Sequence, residues 1–127
     1  MERYIGTKII EAEALQRDYK PGYKVRYPNA EGVFEEDAYE SWSPVDVFDA
    51  AYRMCDAMTF GLALDAMNLG KKVRLPKWAN DVFISIQLPD EHSKMTHKYF
   101  YVTSRYGLVP WIPTMVEMLA EDWQIVD

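Results

Sequence analysis

Cysteine is almost missing from this sequence: Cys55 stands alone, so no internal disulfide can form, which fits a reducing compartment. Glycine is scarce, six residues and nowhere clustered, and this excludes a glycine-rich loop of the kind that cradles phosphates. No apolar run reaches the roughly 18 residues that a membrane-spanning helix needs. Met1-Glu2-Arg3-Tyr4 lacks the apolar stretch of a secretory leader, so the expected location is the cytoplasm, with no membrane partner. Positive charge is short as well: 14 Lys and Arg face 20 Asp and Glu, a net charge of -6. A duplex nucleic-acid binder normally carries the opposite sign over a broad surface, so neither DNA nor RNA is an expected partner.

What the chain has is the make-up of a folded protein: 127 residues, 49% hydrophobic, 14% aromatic and 27% charged. Charge divides it unequally. Residues 1–57 carry 7 basic and 12 acidic side chains (net -5), and residues 58–127 carry 7 and 8 (net -1). In the acidic part, Tyr4 to Ile10 and Gly22 to Tyr27 are rich in β-branched and aromatic residues and are separated by the turn signal Pro21-Gly22, which predicts two strands. Asn29 to Asp37 reads as a solvated loop. Ser43-Pro44-Val45-Asp46 reads as a helix start, with Ser43 as the cap and Pro44 in the first turn, running to Tyr52 or Arg53.

In residues 58–127, Thr59 caps a predicted helix from Phe60 to Leu69, whose Phe60, Ala63, Leu64 and Met67 share one face, and Gly70 stops it. Lys72 to Leu75, Val82 to Leu88 and His97 to Thr103 alternate as strands. Thr114-Met115-Val116-Glu117 has the form of a capping box and opens a short helix to about Glu121, after which Trp123 to Val126 closes the sheet. Helices and strands do not alternate regularly. The expectation is therefore α+β: a small, mostly antiparallel sheet with short helices packed on it (58–127), preceded by a small β-β-α extension (1–57).

Evidence for catalysis is thin. Cys55 has neither histidine near it in sequence, and a thiolate nucleophile needs such a partner or a positive field. Asp90-Glu91-His92 with His97 matches no strong zinc spacing, so no metal and no cofactor are expected. The most informative stretch is Gly70 to Trp78, which holds Lys71, Lys72, Arg74 and Lys77, no acid, and a terminal indole. Cations beside an aromatic ring can pair with phosphate while the ring stacks on a base, and Arg74 is the bidentate fork among them. The same residues also read as a lysine-protected strand edge with Trp78 in the core or an interface. Helix starts at Thr59-Phe60 and Thr114-Met115 are simple caps or anion-facing donors, and Tyr99 and Tyr101 share a strand face with His97 and Thr103.

Taken in order, Met58-Thr59-Phe60-Gly61-Leu62-Ala63-Leu64-Asp65-Ala66-Met67, the basic run to Trp78, Val109-Pro110-Trp111-Ile112-Pro113 and Leu119-Ala120-Glu121-Asp122-Trp123 resemble the second type of Thoeris anti-defence proteins, small phage proteins. The likeness spans residues 58–127. It implies a sponge that binds a cyclic ADP-ribose immune signal without cleaving it, in a homotetramer with pockets between subunits, with cyclic dinucleotides taken up at further sites by some members. Under that resemblance Phe60 and Trp78 are stacking or wall residues, Arg74 a phosphate contact, Asn80 and Asp122 ribose or base hydrogen-bonders, and Trp111 and Pro113 structural. A hydrolase of the same nucleotide, or a phage interaction module with no small ligand, are the alternative readings.

Overall fold

The computed structural model describes residues 1–4 and 8–127, and they form two compact units, Met1–Arg53 and Met54–Asp127. Both units are built on antiparallel sheets with short helices, so the architecture is α+β, as the sequence predicts.

The first unit is a three-stranded meander in the order β1 (Glu11–Ala14), β2 (Gly22–Arg26), β3 (Glu40–Pro44), followed by α1 (Val45–Ala51). Its first strand lies beyond the predicted one. Of the stretch from Tyr4 to Ile10, residues 5–7 fall outside the described residues, and Tyr4 and residues 8–10 are in no strand. The strand that forms is Glu-Ala-Glu-Ala, poor in β-propensity, and cross-strand charge compensates: Glu11 and Glu13 sit opposite Arg26 and Lys24 and pair with them at 3.0 and 2.9 Å. The hydrogen bond from Lys24 holds the Glu13 carboxyl below the usual carboxylate range, and Glu13 in return raises Lys24.

A third strand occupies residues the sequence reading gave to a helix cap. Ser43 is paired with Tyr23 in β3, its hydroxyl bonds the Pro44 carbonyl, and Pro44 itself is the N-cap, with no side-chain cap bond. The reason is tertiary: the Val45 N–H donates to the Pro21 carbonyl (3.1 Å), so the chain has an alternative to a capping hydroxyl. Where Trp42 crosses β2, a Cβ on Gly22 would lie 2.4 Å from the indole, so only glycine fits. Residues 29–37 do form a loop, and an ordered one: the Asn29 side chain accepts from the Glu31 and Val33 N–H groups and donates to Glu35.

The second unit holds α2 (Phe60–Asn68), β4 (Lys72–Arg74), β5 (Phe83–Gln87), β6 (Tyr99–Ser104), β7 (Gly107–Pro110), α3 (Met115–Met118) and β8 (Gln124–Val126). The strand order is β7-β6-β5-β4-β8, all antiparallel. Thr59 caps α2 as expected, accepting from the Leu62 N–H, and Gly70 ends it in the left-handed region at φ +88°. The buried face of α2, Ala63, Ala66 and Met67, packs against Val73, Leu75, Ile84 and Trp123 to make the core. Beyond the expected alternation, Leu88 falls after the strand and is exposed, while Ser85 is buried with Ile84. The basic strand is not an edge, because β8 returns along its free side with Arg74 opposite Gln124. The capping box of α3 is present in full, but the helix stops at Met118 because the chain must turn to place Trp123 against Met58.

Candidate functional site

Five aromatic rings converge in the second unit. Trp123 is fully buried at their centre, locked by reciprocal backbone bonds with Met58 (2.9 and 3.0 Å) and by its indole N–H, which donates to the Glu117 carbonyl at 2.9 Å. Around it stand Phe60 (ring centroids 5.3 Å away), Trp78 (5.4 Å) and Trp111 (6.2 Å), and Phe100 completes the cluster at 6.0 Å from both Phe60 and Trp111. Most pairs cross steeply, Trp78 on Trp123 at 89°, the edge-to-face geometry that aromatic quadrupoles favour. Phe60, Trp78, Phe100 and Trp111 are only partly buried, so the cluster has a solvent-facing margin.

Local sequence explains each ring's position. Phe60 is the first residue of α2, directly after its Thr59 cap, and the free N–H groups of that helix end give the margin a positive partial charge. Trp78 ends a tight turn closed by its N–H on the Leu75 carbonyl (3.1 Å), and Trp111 follows β7 with its N–H on the Phe100 carbonyl (3.0 Å).

The sequence-expected residues distribute unevenly around this cluster. Phe60 and Trp78 are brought together through Trp123 and Trp111. Arg74 extends on the sheet face opposite to Val73 and Leu75, and it meets Trp78 through the main chain. Its guanidinium donates to the Trp78, Ala79 (3.0 Å) and Val82 (3.4 Å) carbonyls and to the Gln124 side chain (3.2 Å), so four of its five N–H groups are used, three clamping the loop after β4 and one tying it to β8. One N–H and the charge remain for an anion. Asn80 sits exposed on that clamped loop, and Asp122 is exposed directly before Trp123. Lys72 spends its cation on the Phe83 ring, 4.7 Å from the centroid, while Lys71 and Lys77 are exposed. What the sequence reading did not group was Phe100, Trp111 and Trp123. The available signal was the placement of three of the four tryptophans after residue 70.

Other groups offer less. Burial pushes the Cys55 thiol up, with Asp56 and Asp127 adding to the shift, so it is a protonated thiol at neutral pH. Among the described residues no group of three His, Cys, Asp or Glu is placed to hold a metal ion. An open groove of about 370 Å³ lies on the charged face of the first unit, where Glu11, Glu13, Glu36 and Glu40 outnumber Lys24 and Arg26. Its charge disfavours an anionic ligand. No described helix is long and apolar enough to cross a membrane.

Comparison with known proteins adds a family. Residues 58–126, all within the second unit, match the family model described as Tad2-like, the Thoeris anti-defense 2-like domain. No curated protein matches the chain.

Proposed function

The chain belongs to the Tad2-like, Thoeris anti-defense 2-like family, which supports a Thoeris anti-defence role, and from that premise we propose that it acts as a sponge for a cyclic ADP-ribose immune signal. The ligand is held intact, and the defence effector is never switched on.

The observation that carries this reading is the half-exposed aromatic margin formed by Phe60, Trp78 and Trp111 at the N-terminus of α2. A purine needs a ring to lie against, and a pyrophosphate needs fixed donors and cations nearby. In this reading Phe60 and Trp78 wall the base, and Arg74, which reaches the Trp78 and Ala79 carbonyls from the opposite sheet face, offers its charge and remaining N–H to a phosphate at the edge of that loop. Asn80 and Asp122 supply hydrogen bonds to ribose or base. Because the clamp by Arg74 fixes the loop bearing Asn80, less ordering entropy opposes binding. The protein works in the host cytoplasm as a homotetramer, needs no cofactor, and takes neither DNA nor RNA as a partner. Cyclic dinucleotides are a second ligand class to test.

Sequestration works by mass action, so binding must be tight and near-stoichiometric. The test is release. The protein is incubated with cyclic ADP-ribose signal, stripped of free ligand and heat-denatured, and the supernatant is analysed by mass spectrometry. Intact signal is expected at up to one equivalent per site. A cleaved product, or multiple turnovers at substoichiometric protein, overturns the sponge in favour of a hydrolase.

A further inference from the structure

The five strands of the second unit's sheet carry no acid. Their only formal charges are Lys72 and Arg74, in a chain that has 20 Asp and Glu. Acids enter only in the segments between and after the strands, such as Asp81, Asp122 and Asp127. Lys72 already lies over the Phe83 ring, which leaves Arg74 as the directional cation of this sheet.

The partners of Arg74 leave its charge intact. All of them are neutral, three main-chain carbonyls and the Gln124 amide, and among the described residues no carboxylate pairs with it. Its hydrogens divide by nitrogen. Nε gives its single hydrogen to Val82, Nη2 gives both of its own to Trp78 and Ala79, and Nη1 gives one to Gln124 Oε1 at 3.2 Å. The unspent hydrogen therefore sits on Nη1, the nitrogen that Gln124 holds.

Gln124 faces Arg74 directly across the β4–β8 ladder. A guanidinium has donors only, so the amide must turn its Oε1 toward Arg74, and Nε2 carries its two hydrogens away from it. Among the described residues those hydrogens have no protein acceptor. Both amide atoms sit on one carbon, so the Gln124 Nε2–H groups stay beside the free Nη1–H of Arg74. Both side chains are half-buried, and neither is closed off from solvent. Neighbouring donors backed by a full positive charge, with no acceptor among them, suit a phosphate oxygen.

We propose that Gln124 is a ligand-binding residue that works as a pair with Arg74: its Oε1 orients the guanidinium without neutralising it, and its Nε2 donates to the same phosphate. This rests on the sponge reading and deepens it, because it names the group taken at the Arg74 side of the loop as one phosphate of the pyrophosphate. It also makes position 124 a selector of charge. A glutamate there would grip the guanidinium as firmly as glutamine does, cancel its charge and turn an oxygen toward the anion.

Calorimetric titration of the full chain with cyclic ADP-ribose and, separately, with inorganic pyrophosphate tests it. Gln124→Glu is expected to weaken binding about tenfold or more, with no fall in melting temperature because the carboxylate keeps the clamp. Gln124→Met removes the amide but leaves the Arg74 charge, and is expected to weaken binding less, about threefold. Gln87→Glu, which adds the same charge at the far end of β5, keeps the wild-type affinity. A residue that only braced Arg74 would give the reverse order, with binding kept by Gln124→Glu and lost in Gln124→Met, and that order overturns the proposal. So does an equal loss in Gln87→Glu, or a wild type that binds neither probe. If Gln124→Glu takes up and releases intact signal as the wild type does, the sponge stands and this inference falls. If the wild type cleaves the signal while Gln124→Glu loses pyrophosphate tenfold, the sponge falls and this inference stands.

Discussion

Arg74 shows how one side chain can carry two roles that compete for its hydrogens. Its type and neighbours mark it as an anion fork, yet its guanidinium reaches three main-chain carbonyls and Gln124, fifty positions away. Hydrogen bonds to a charged donor contribute about 1.5–3 kcal/mol each when desolvated, and less in a half-exposed setting such as this. Arg74→Lys keeps the charge but cannot reproduce the planar fork. It is expected to lower stability by about 1–2 kcal/mol in urea titrations followed by tryptophan fluorescence, and to weaken ligand retention as the Asn80 loop loosens. Unchanged stability in that variant would mean the clamp is not formed in solution. Trp78 was legible as an aromatic beside cations. That its indole turns to Trp123 while Arg74 lies on the other sheet face could not be read from a sequence neighbourhood of five residues.

Among the elements, the helices divide by what stabilises their first turns. The N-terminus of α2 is closed by Thr59 and that of α3 by the reciprocal Thr114–Glu117 box, both legible because the partners lie three residues apart. That of α1 uses the Pro21 carbonyl, a partner from β2's approach that no local rule identifies. Since α3 buries none of its residues, its cap matters more than packing does. Thr114→Ala is expected to cost about 1 kcal/mol. In a unit of this size that lowers the melting temperature by about 4–8 °C in a calorimetric scan. No change would show that the Trp123 indole bond to Glu117 holds the turn unaided. The strands follow the same logic. β5 and β6 announce themselves by alternation, whereas β1 has no such signal of its own: it forms by backbone pairing with β2, and its glutamates add exposed ion pairs with Arg26 and Lys24.

At the scale of the whole molecule, apolar burial is concentrated in one place. Among the described residues, Met58, Ala63, Ala66, Met67, Val73, Leu75, Ile84 and Trp123 form the core of the second unit, while the first buries one hydrophobic side chain, Val25. A chain of about fifty residues with so little buried apolar surface does not offset its conformational entropy. Residues 54–127 produced alone are therefore expected to unfold cooperatively, with near-ultraviolet aromatic circular dichroism intact, and residues 1–53 alone to lack dispersed amide resonances. A folded isolated first unit would contradict this. The family match, confined to 58–126, follows the same division.

Composition, helix caps, turn signals and alternation, mostly set by neighbours within about four residues, were enough to establish α+β and the acidic balance, and the residue runs of 58–127 carried the family resemblance. Only the tertiary structure decided that the basic strand is interior, that Glu40–Pro44 is a strand, and that five distant rings share one cluster. Strand pairing and side-chain convergence are contacts between residues far apart in the chain, and their energies appear only once the chain has closed on itself.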